Sequence, residues 1–230
     1  MRVAVIPARG GSKRIPRKNI KLFHGKPIIA YSLEAALGAG CFDRVIVSTD
    51  DQEIADVARE YGAEVPFIRT PELADDFTGT NAVVADALRR LNISDGEACC
   101  IYATAPFVTT KTLNCGLSTL KASGGDYAVT VTSFPFPIQR AARVNDEEML
   151  ELNEPEHRMT RSQDLPEMFH DAGQVYWGTA QAFLQDVPLF SGTTSPIVLP
   201  RHFVQDIDTP EDWVRAEAMY HVLRSQGAFE

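Results

Sequence analysis

A thirteen-residue segment near the N-terminus combines the residue types that bind phosphate groups. Pro7–Asn19 reads PARGGSKRIPRKN and directly follows an apolar run. Gly10 and Gly11 allow the backbone to approach a ligand closely and to turn its amides toward an anion. Arg9 can contact phosphate oxygens with two N–H groups, while the lysines supply point charges. The segment has neither Walker-loop spacing nor the G-x-G-x-x-G dinucleotide motif, so we expect a triphosphate site of another kind.

The distribution of charge also indicates a local anion site. The first 33 residues contain eight lysines and arginines and no acidic residue, although the whole chain has a net charge of −9. A basic segment on an acidic body does not provide the extended basic face that nucleic-acid binding requires. We therefore expect a small anionic ligand and no nucleic-acid partner. The alternative is a solvated basic loop.

Two aspartates late in the chain form a second candidate site. Asp206 and Asp208 lie two residues apart in the sequence QDIDT. In an extended segment this spacing places both carboxylates on one side and turns Ile207 toward the core. Mg²⁺, or Mn²⁺ in its place, binds one or two carboxylates together with substrate phosphates. The alternative is that acids here complement the N-terminus of the following helix, a role that suits Asp212 well.

The other chemistry-bearing residues exclude several functions. Four cysteines include no C-x-x-C pair and five histidines show no zinc-binding spacing, so we expect reduced core thiols and no zinc site. No G-x-S-x-G motif indicates a covalent nucleophile. No apolar run approaches the ~20 residues of a membrane span, and the N-terminus does not read as a secretory signal. The sequence predicts a cytoplasmic protein that does not bind membranes.

Apolar, β-rich runs alternate with helical patterns along most of the chain. Such strand–helix units imply an α/β fold, a mostly parallel sheet with helices on both faces. Ligands of open α/β sheets bind at the carboxyl ends of the strands, where Pro7–Asn19 would lie. The pattern predicts strands at 3–8, 44–50, 64–69, 98–103, 127–133 and 174–180, and helices at 27–37, 51–62, 80–91, 109–121 and 210–225.

The alternation stops between Phe134 and Met168. This stretch contains a proline pair, a polar acidic patch and a basic run, and it is too long and too patterned for a simple loop. We predict an insertion at 134–168 that forms a β-hairpin or arm, packs on a second subunit of a homodimer and caps the substrate. A flexible surface excursion is the alternative. The whole chain, residues 1–230, would form one domain.

Three segments together resemble the CMP-sialate synthetase superfamily, whose members join CMP from CTP to nine-carbon acidic sugars. They are PARGGSKRIPRKN, the stretch from VIVSTDDQEI to PELADD, and QDIDTPEDW, and the resemblance extends over the whole chain. It implies a Rossmann-like, nucleotide-diphospho-sugar transferase-like fold. It also implies a Mg²⁺-dependent in-line displacement, in which the anomeric hydroxyl of the sugar attacks the α-phosphorus and pyrophosphate leaves. No side chain stands out as the general base.

The resemblance gives each matching residue an expected role. Asp206 and Asp208 would hold the metal, and the catalytic set would be Arg9, Lys18 and Asp208. The residues that would bind the nucleotide are Pro7, Ala8, Arg9, Gly10, Gly11, Ser12, Lys18, Asn19, Arg69, Thr78 and Thr80. Arg69, Thr78 and Thr80 correspond to the family's contacts with cytosine and ribose. Either threonine could instead cap the helix that begins near residue 80.

The positions at which this chain departs from the sialate pattern bear on which sugar it would bind. Enzymes for N-acetylneuraminic acid usually have Q-P-T-S-P where this chain has YATAP at 102–106, and a glycine is common where it has Arg14. Together with Phe169–Trp177, these variants resemble pseudaminic acid cytidylyltransferases. An aromatic ring suits a 5,7-diamino, 9-deoxy sugar, which has acyl groups and a methyl where sialic acid has hydroxyls.

The expected sugar-binding residues are Tyr102, Thr104, Gln174 and Tyr176, with Arg161 of the insertion reaching the sugar carboxylate of a partner subunit. Tyr102 and Tyr176 could instead be core aromatics. Legionaminic, N-acetylneuraminic or 3-deoxy-octulosonic acid are alternative substrates. A non-catalytic nucleotide-sensing module on the same fold is the alternative of another class.

Overall fold

The computed structural model describes residues 1–75 and 78–229. The strands are β1 (Arg2–Pro7), β2 (Leu22–Phe23), β3 (Lys26–Pro27), β4 (Arg44–Ser48), β5 (Glu97–Ile101), β6 (Tyr127–Ser133), β7 (Ala142–Val144), β8 (Leu150–Leu152), β9 (Phe169–Thr179) and β10 (Thr194–Val198). The α-helices are α1 (Ile28–Gly38), α2 (Gln52–Glu60), α3 (Thr80–Arg90), α4 (Thr110–Ser123), α5 (Ala180–Leu184) and α6 (Pro210–Ser225).

A six-stranded sheet in the order β10-β6-β9-β5-β1-β4 forms the centre of the molecule. The pairs β1–β4, β1–β5 and β10–β6 are parallel, whereas β9 runs antiparallel between β5 and β6. The carboxyl ends of β1, β4, β5 and β6 therefore share one edge with the beginning of β9. The predicted mostly parallel α/β fold is confirmed.

Helices cover both faces of this sheet, because alternate residues of each strand are apolar on opposite sides. On one face, Ile6 and Ile101 pack with Leu33 of α1, the apolar residues of α2 and Leu117 of α4. On the other face, Val5 and Cys100 pack with residues of α3 and α5. A third apolar cluster joins α6 to the small β2–β3 hairpin and places the segment before α6 beside the sheet edge.

Most predicted elements agree with the structure within a few residues, but two do not. The predicted strand at 64–69 is wrong, because this segment makes only isolated bridges, from Glu64 to Ile46 and from Ile68 to Thr49. Pro66 lies between them and has no N–H to donate to a ladder. The predicted strand at 174–180 begins five residues earlier, at Phe169, because its first residues pair with β6.

The stretch 134–168 contains an antiparallel hairpin of β7 and β8, in line with the predicted β-hairpin. Both strands are mostly exposed, and the hairpin is a separate two-stranded sheet. Within the described part of the chain, we find no helix that combines the length and the apolar character needed to span a bilayer.

Candidate active site

A cleft of about 500 Å³ opens at the carboxyl ends of β1 and β5. It brings together residues that are separated by up to two hundred positions in the sequence. The predicted site residues that line it are Pro7, Arg9, Ser12, Lys18, Asn19, Arg69, Thr78, Thr80, Tyr102, Thr104 and Asp208. Those that lie outside its lining are Ala8, Gly10, Gly11, Asp206, Arg161, Gln174 and Tyr176.

The loop after β1 is held against the end of β4 by its own backbone. The amide of Ala8 donates to the carbonyl of Ser48 at 3.0 Å, and the amide of Gly10 donates to Oδ1 of Asp50 at 2.9 Å. A Cβ atom on Gly10 would lie 2.7 Å from Oδ2 of Asp51, so any larger residue would push the loop away. Asn19 closes the loop by donating from Nδ2 to the carbonyl of Arg9 at 2.8 Å.

Arg17 fastens the far end of the loop to the same place. Its guanidinium donates to both oxygens of Asp51, at 2.5 and 2.9 Å, and also contacts Glu53. The hydrogen bonds from Arg17 hold the pKa of the Asp51 carboxyl below its usual range. Asp51 also caps α2 by accepting from the amide of Ile54 at 3.0 Å. The residue after Arg17 is Lys18, whose position in the cleft depends on this anchor.

Two cations of the loop converge on one carboxylate across the cleft. Lys18 Nζ donates to the carbonyl of Ile207 at 2.6 Å and lies 3.4 Å from Oδ1 of Asp208. Arg14 NH2 lies 2.9 Å from the same oxygen. Arg14 is largely exposed and Lys18 is largely buried, so the two differ in freedom to reach a ligand. This arrangement gathers positive charge in the cleft, of the kind that binds phosphate oxygens.

Ile207 is buried, as the spacing predicted; of the two aspartates that flank it, Asp208 lines the cleft and Asp206 does not. Desolvation of the carboxyl and the charge of Asp208 raise the pKa of Asp206, although the residue as a whole keeps an exposed surface. Two neighbouring carboxylates offer hard oxygen ligands of the kind Mg²⁺ prefers, so the donor set fits a divalent cation. Asp212 instead serves α6 in a capping box with Thr209, as its alternative role predicted.

Arg69 is a buried cation with one unused donor. Its side chain lies 3.7 Å from Oδ1 of Asp50, and burial lowers the pKa of the guanidinium. The Nε atom is buried and has no hydrogen-bond partner among the described residues. Since a buried N–H without a partner is costly, a ligand atom in the cleft is the simplest acceptor.

The two threonines near α3 do not cap that helix. Gly79 occupies the cap position, and Thr80 is the first helical residue. The hydroxyl of Thr78 donates to Oδ1 of Asp75 at 2.6 Å, and its amide donates to the same atom at 2.7 Å. The alternative role of these residues as caps is therefore wrong, and both face the cleft.

The residues expected to bind the sugar lie at different depths below the surface of the cleft. Tyr102 and Thr104 line the cleft directly after β5, whereas Tyr176 is 1% exposed and lies in the core beneath them. Gln174 is buried, with Nε2 donating to the carbonyl of Phe203 at 2.6 Å and with no described partner for Oε1. Arg161 is exposed on the insertion and forms a two-bond pair with Asp164, at 2.7 and 3.1 Å.

Comparison with known proteins identifies the family to which the chain belongs. A family model described as cytidylyltransferase matches residues 3–213. The chain belongs to the cytidylyltransferase family. It is therefore a nucleotidyltransferase, which rules out the alternative of a non-catalytic nucleotide-sensing module.

Individual relatives show how far the similarity extends. Pseudaminic acid cytidylyltransferase of Campylobacter jejuni subsp. jejuni is 43% identical over 223 residues, which cover 96% of each chain. CMP-N,N'-diacetyllegionaminic acid synthase of Legionella pneumophila is 33% identical over 234 residues, covering 94% of this chain and 95% of the relative. The solved structure of CMP:2-keto-3-deoxy-manno-octonic acid synthetase complexed with CTP has a TM-score of 0.69, 16% identity, and coverage of 96% of this chain and 98% of that one. At that identity the structure supports the fold alone.

Sequence reasoning overlooked several residues that organise the cytidylyltransferase site. Asp50 and Asp51 hold the loop after β1, and their position directly after a buried parallel strand is a usable signal in the sequence. In the sequence Arg17 looks like one more basic residue, whereas its left-handed backbone, with φ of 54°, places it at a tight turn in the structure. Asp171 accepts a hydrogen bond from the Tyr176 hydroxyl at 2.5 Å, and no sequence pattern indicated that contact.

Proposed function

We propose that this cytidylyltransferase transfers CMP from CTP to the anomeric hydroxyl of pseudaminic acid and releases pyrophosphate. The observation that carries the proposal is the 43% identity, over 96% of both chains, with a pseudaminic acid cytidylyltransferase. The relative that acts on a legionaminic acid is less similar, at 33% identity. Tyr102 lines the cleft where the resemblance expected a sugar contact, which supports the same choice.

Charge supports a triphosphate in the loop. Arg9, Lys18 and Arg14 provide cations on one side of the cleft. Arg69 lines the same cleft, and its guanidinium would donate to an oxygen of the nucleoside. Lys18 would stabilise negative charge on the transferring phosphate, and Asp208 keeps its ammonium in place until the nucleotide binds.

Asp206 and Asp208 would hold Mg²⁺ or Mn²⁺. When bound, such an ion neutralises the charge that develops on the transferring and departing phosphates. The raised pKa of Asp206, caused by desolvation and by the neighbouring Asp208 charge, supports this assignment, because a cation would relieve the repulsion. The sugar hydroxyl would then attack in line, with catalysis supplied by positioning and electrostatics.

We further propose that the enzyme acts in the cytoplasm as a homodimer whose insertion packs on the second subunit. Five large apolar side chains of the insertion are more than 60% exposed in the single chain: Phe136, Val144, Met149, Leu150 and Met159. Such exposure is typical of a surface that another protein covers. Arg161 and the cleft of a second subunit would then share a site. Light scattering of purified protein, with Leu150→Asp as the disrupting variant, tests this arrangement.

The central test of the proposed function measures pyrophosphate release from CTP and Mg²⁺ with a panel of sugars. We expect pseudaminic acid to give a kcat/KM at least about tenfold above legionaminic, N-acetylneuraminic and 3-deoxy-octulosonic acids, the difference that about 1.4 kcal/mol of selective binding produces. A higher kcat/KM for legionaminic acid would assign the enzyme to that sugar. No release with any of the four would reject the proposal.

A further inference from the structure

One carboxylate oxygen in the cleft has two cationic partners. Arg14 NH2 lies 2.9 Å from Oδ1 of Asp208, and Lys18 Nζ lies 3.4 Å from the same atom. Both cations come from the loop after β1, whereas Asp208 directly precedes Thr209, the cap residue of α6. Asp208 is also one of the two carboxylates that we assign to a divalent cation. The loop therefore places two positive charges beside a proposed metal ligand.

The two cations differ in how firmly the structure holds them. Lys18 Nζ also donates to the carbonyl of Ile207 at 2.6 Å, and the Lys18 side chain is 18% exposed. The side chain of Arg14 is 64% exposed, and the ion pair with Asp208 is the contact that the described residues give to its guanidinium. An exposed side chain held by one ion pair loses little by moving, since such pairs contribute little to stability. Arg14 is therefore the partner of Asp208 that can leave.

Buried apolar neighbours hold the two backbones in place. Ile15 follows Arg14 and Ile207 precedes Asp208 in the sequence; they are 3% and 0% exposed and belong to the same apolar cluster. This cluster joins the loop after β1 to the segment before α6. The distance between Arg14 and Asp208 thus follows from packing of the core, and a rotation of the arginine side chain alone would bring it to another acceptor in the cleft that it lines.

Arg14 and a divalent cation compete for Asp208 because both are positive. Like charges a few ångströms apart repel each other near a protein surface, where the effective dielectric constant is lower than in water. A cation that binds this carboxylate must therefore displace Arg14 or bear its repulsion. The phosphates of a nucleotide in the cleft offer Arg14 a second acceptor, since a guanidinium binds phosphate oxygens with two parallel N–H groups.

We propose that Arg14 competes with the divalent cation for Asp208 until CTP is bound, and then exchanges the carboxylate for the phosphates of the nucleotide. The inference rests on the proposed function, because it needs CTP in the cleft and Asp208 as a ligand of the cation. Through this exchange CTP raises the affinity for the cation, and by thermodynamic linkage the cation raises the affinity for CTP by the same factor. Arg14 thus sets the order in which the site is assembled.

The test removes the charge of Arg14 and measures the two ligands separately. Arg14→Gln keeps a polar side chain and leaves Asp208 with Lys18. Electron paramagnetic resonance of free Mn²⁺, without nucleotide, should give a Kd for Mn²⁺ about three- to fivefold lower than in wild type, the range for a largely exposed ion pair. Calorimetry of CTP in EDTA, without metal, should give a Kd for CTP about three- to fivefold higher. The opposite signs are decisive, because a damaged fold would weaken the binding of both ligands.

A second variant locates the bound ion. Glu154, Glu156 and His157 form an exposed group on the insertion that could also bind Mn²⁺. The effect of Arg14→Gln is therefore measured again in an Asp208→Asn background. There the gain in affinity for Mn²⁺ should vanish, because the carboxylate that the substitution frees has been removed.

Lys26→Gln is the control for a general effect of charge. It removes one positive charge from the same basic segment, at a side chain that pairs with Glu34 and lies over the ring of Tyr31 in a separate cavity. Because salt screens distant exposed charges, both dissociation constants should stay within about 1.5-fold of wild type.

The inference is overturned if Arg14→Gln binds Mn²⁺ no more tightly than wild type, if it binds CTP as tightly as wild type, if Lys26→Gln shows the same gain, or if the gain persists beside Asp208→Asn. Failure of the proposed function gives a different result, since the wild-type enzyme would then bind no CTP or would release no pyrophosphate from CTP with Mg²⁺ and pseudaminic acid.

Discussion

The proposed nucleotide side of the cleft, formed by the loop after β1, and the proposed sugar side, beside Tyr102, are built on different principles. The nucleotide side is charged and largely contiguous, since one loop supplies Arg9, Arg14 and Lys18, and carboxylates at the end of β4 hold that loop. The sugar side is neutral and assembled from separate strands, with Tyr102 after β5 and its supporting residues on β9. The contrast teaches that a charged wall can be built from one short loop, whereas a neutral, hydrogen-bonded wall depends on contacts between strands that are distant in the sequence.

The largest loss should follow from removing Asp208, the carboxylate on which two cations of the loop converge. In Asp208→Ala, Lys18 and Arg14 lose their common partner and the proposed metal site loses a ligand. We expect kcat to fall about 10²- to 10³-fold, a loss typical of removing one group that stabilises developing charge. Pyrophosphate release under saturating substrates measures this.

Asp212→Ala is the matched control for that variant, because Asp212 serves the cap of α6. It should lower the free energy of unfolding by about 1 kcal/mol and change kcat less than tenfold. Undiminished kcat in Asp208→Ala would refute the assignment of Asp208 to the metal.

The next largest effect should be confined to the nucleotide side. In Lys18→Met a largely buried ammonium is removed from the cleft, and we expect the KM for CTP to rise about 10- to 100-fold, as for other hydrogen bonds to charged groups. Lys21→Met is the control, since Lys21 packs over the ring of Trp213 outside the cleft. Equal KM values for CTP in the two variants would show that Lys18 does not bind the nucleotide.

A smaller effect should come from loosening the anchor of the loop. Asp51→Asn keeps a residue able to cap α2 but loses the ion pair with Arg17. We expect the free energy of unfolding at pH 7 to fall by about 0.5–1 kcal/mol, as for a well-aligned but partly exposed pair, and the KM for CTP to rise about threefold. Asp56→Asn, which disrupts a more exposed pair with Arg59, should lower the free energy of unfolding by less.

The difference in free energy of unfolding between wild type and Asp51→Asn should change with pH in a definite direction. Because Arg17 lowers the pKa of Asp51 in the folded state, the pair stabilises the protein above the unfolded pKa of about 3.9. That contribution is lost as the pH falls through the lower folded pKa. Urea unfolding should therefore show a difference between wild type and Asp51→Asn at pH 7 that disappears once the pH has fallen below the folded pKa of Asp51. A difference that persists unchanged in acid would mean that the pair is not its source.

The fold could be predicted well wherever one element carries its own periodicity. The strand Tyr127–Ser133 and the helix Pro210–Ser225 were predicted with their observed bounds. The segment around Pro66 failed because its apolar composition resembles a strand, whereas its backbone can make only isolated bridges. The start of β9 was missed because its pairing with β6 is antiparallel and includes a shift in register that the residue pattern does not show.

The two sides of the cleft also differ in how well the sequence predicts their residues. Most of the predicted nucleotide residues line it, because the loop follows a strand and its residue types are found in consecutive positions. The proposed sugar side was predicted only in part: Tyr102 and Thr104 reach the cleft, while Tyr176 lies in the core. Asp171 could not be found from the sequence, because its contact with Tyr176 depends on the turn at Gly173.

The most direct test of this division is the affinity for CTP, measured by calorimetry without sugar, in wild type, Lys18→Met and Tyr102→Phe. Phenylalanine keeps the ring of Tyr102 and removes only the oxygen that we assign to the sugar. We expect the Kd for CTP to rise at least about tenfold in Lys18→Met and to stay within about twofold of wild type in Tyr102→Phe. A loss of CTP affinity in Tyr102→Phe as large as that in Lys18→Met would contradict the division of the cleft into a charged nucleotide side and a neutral sugar side.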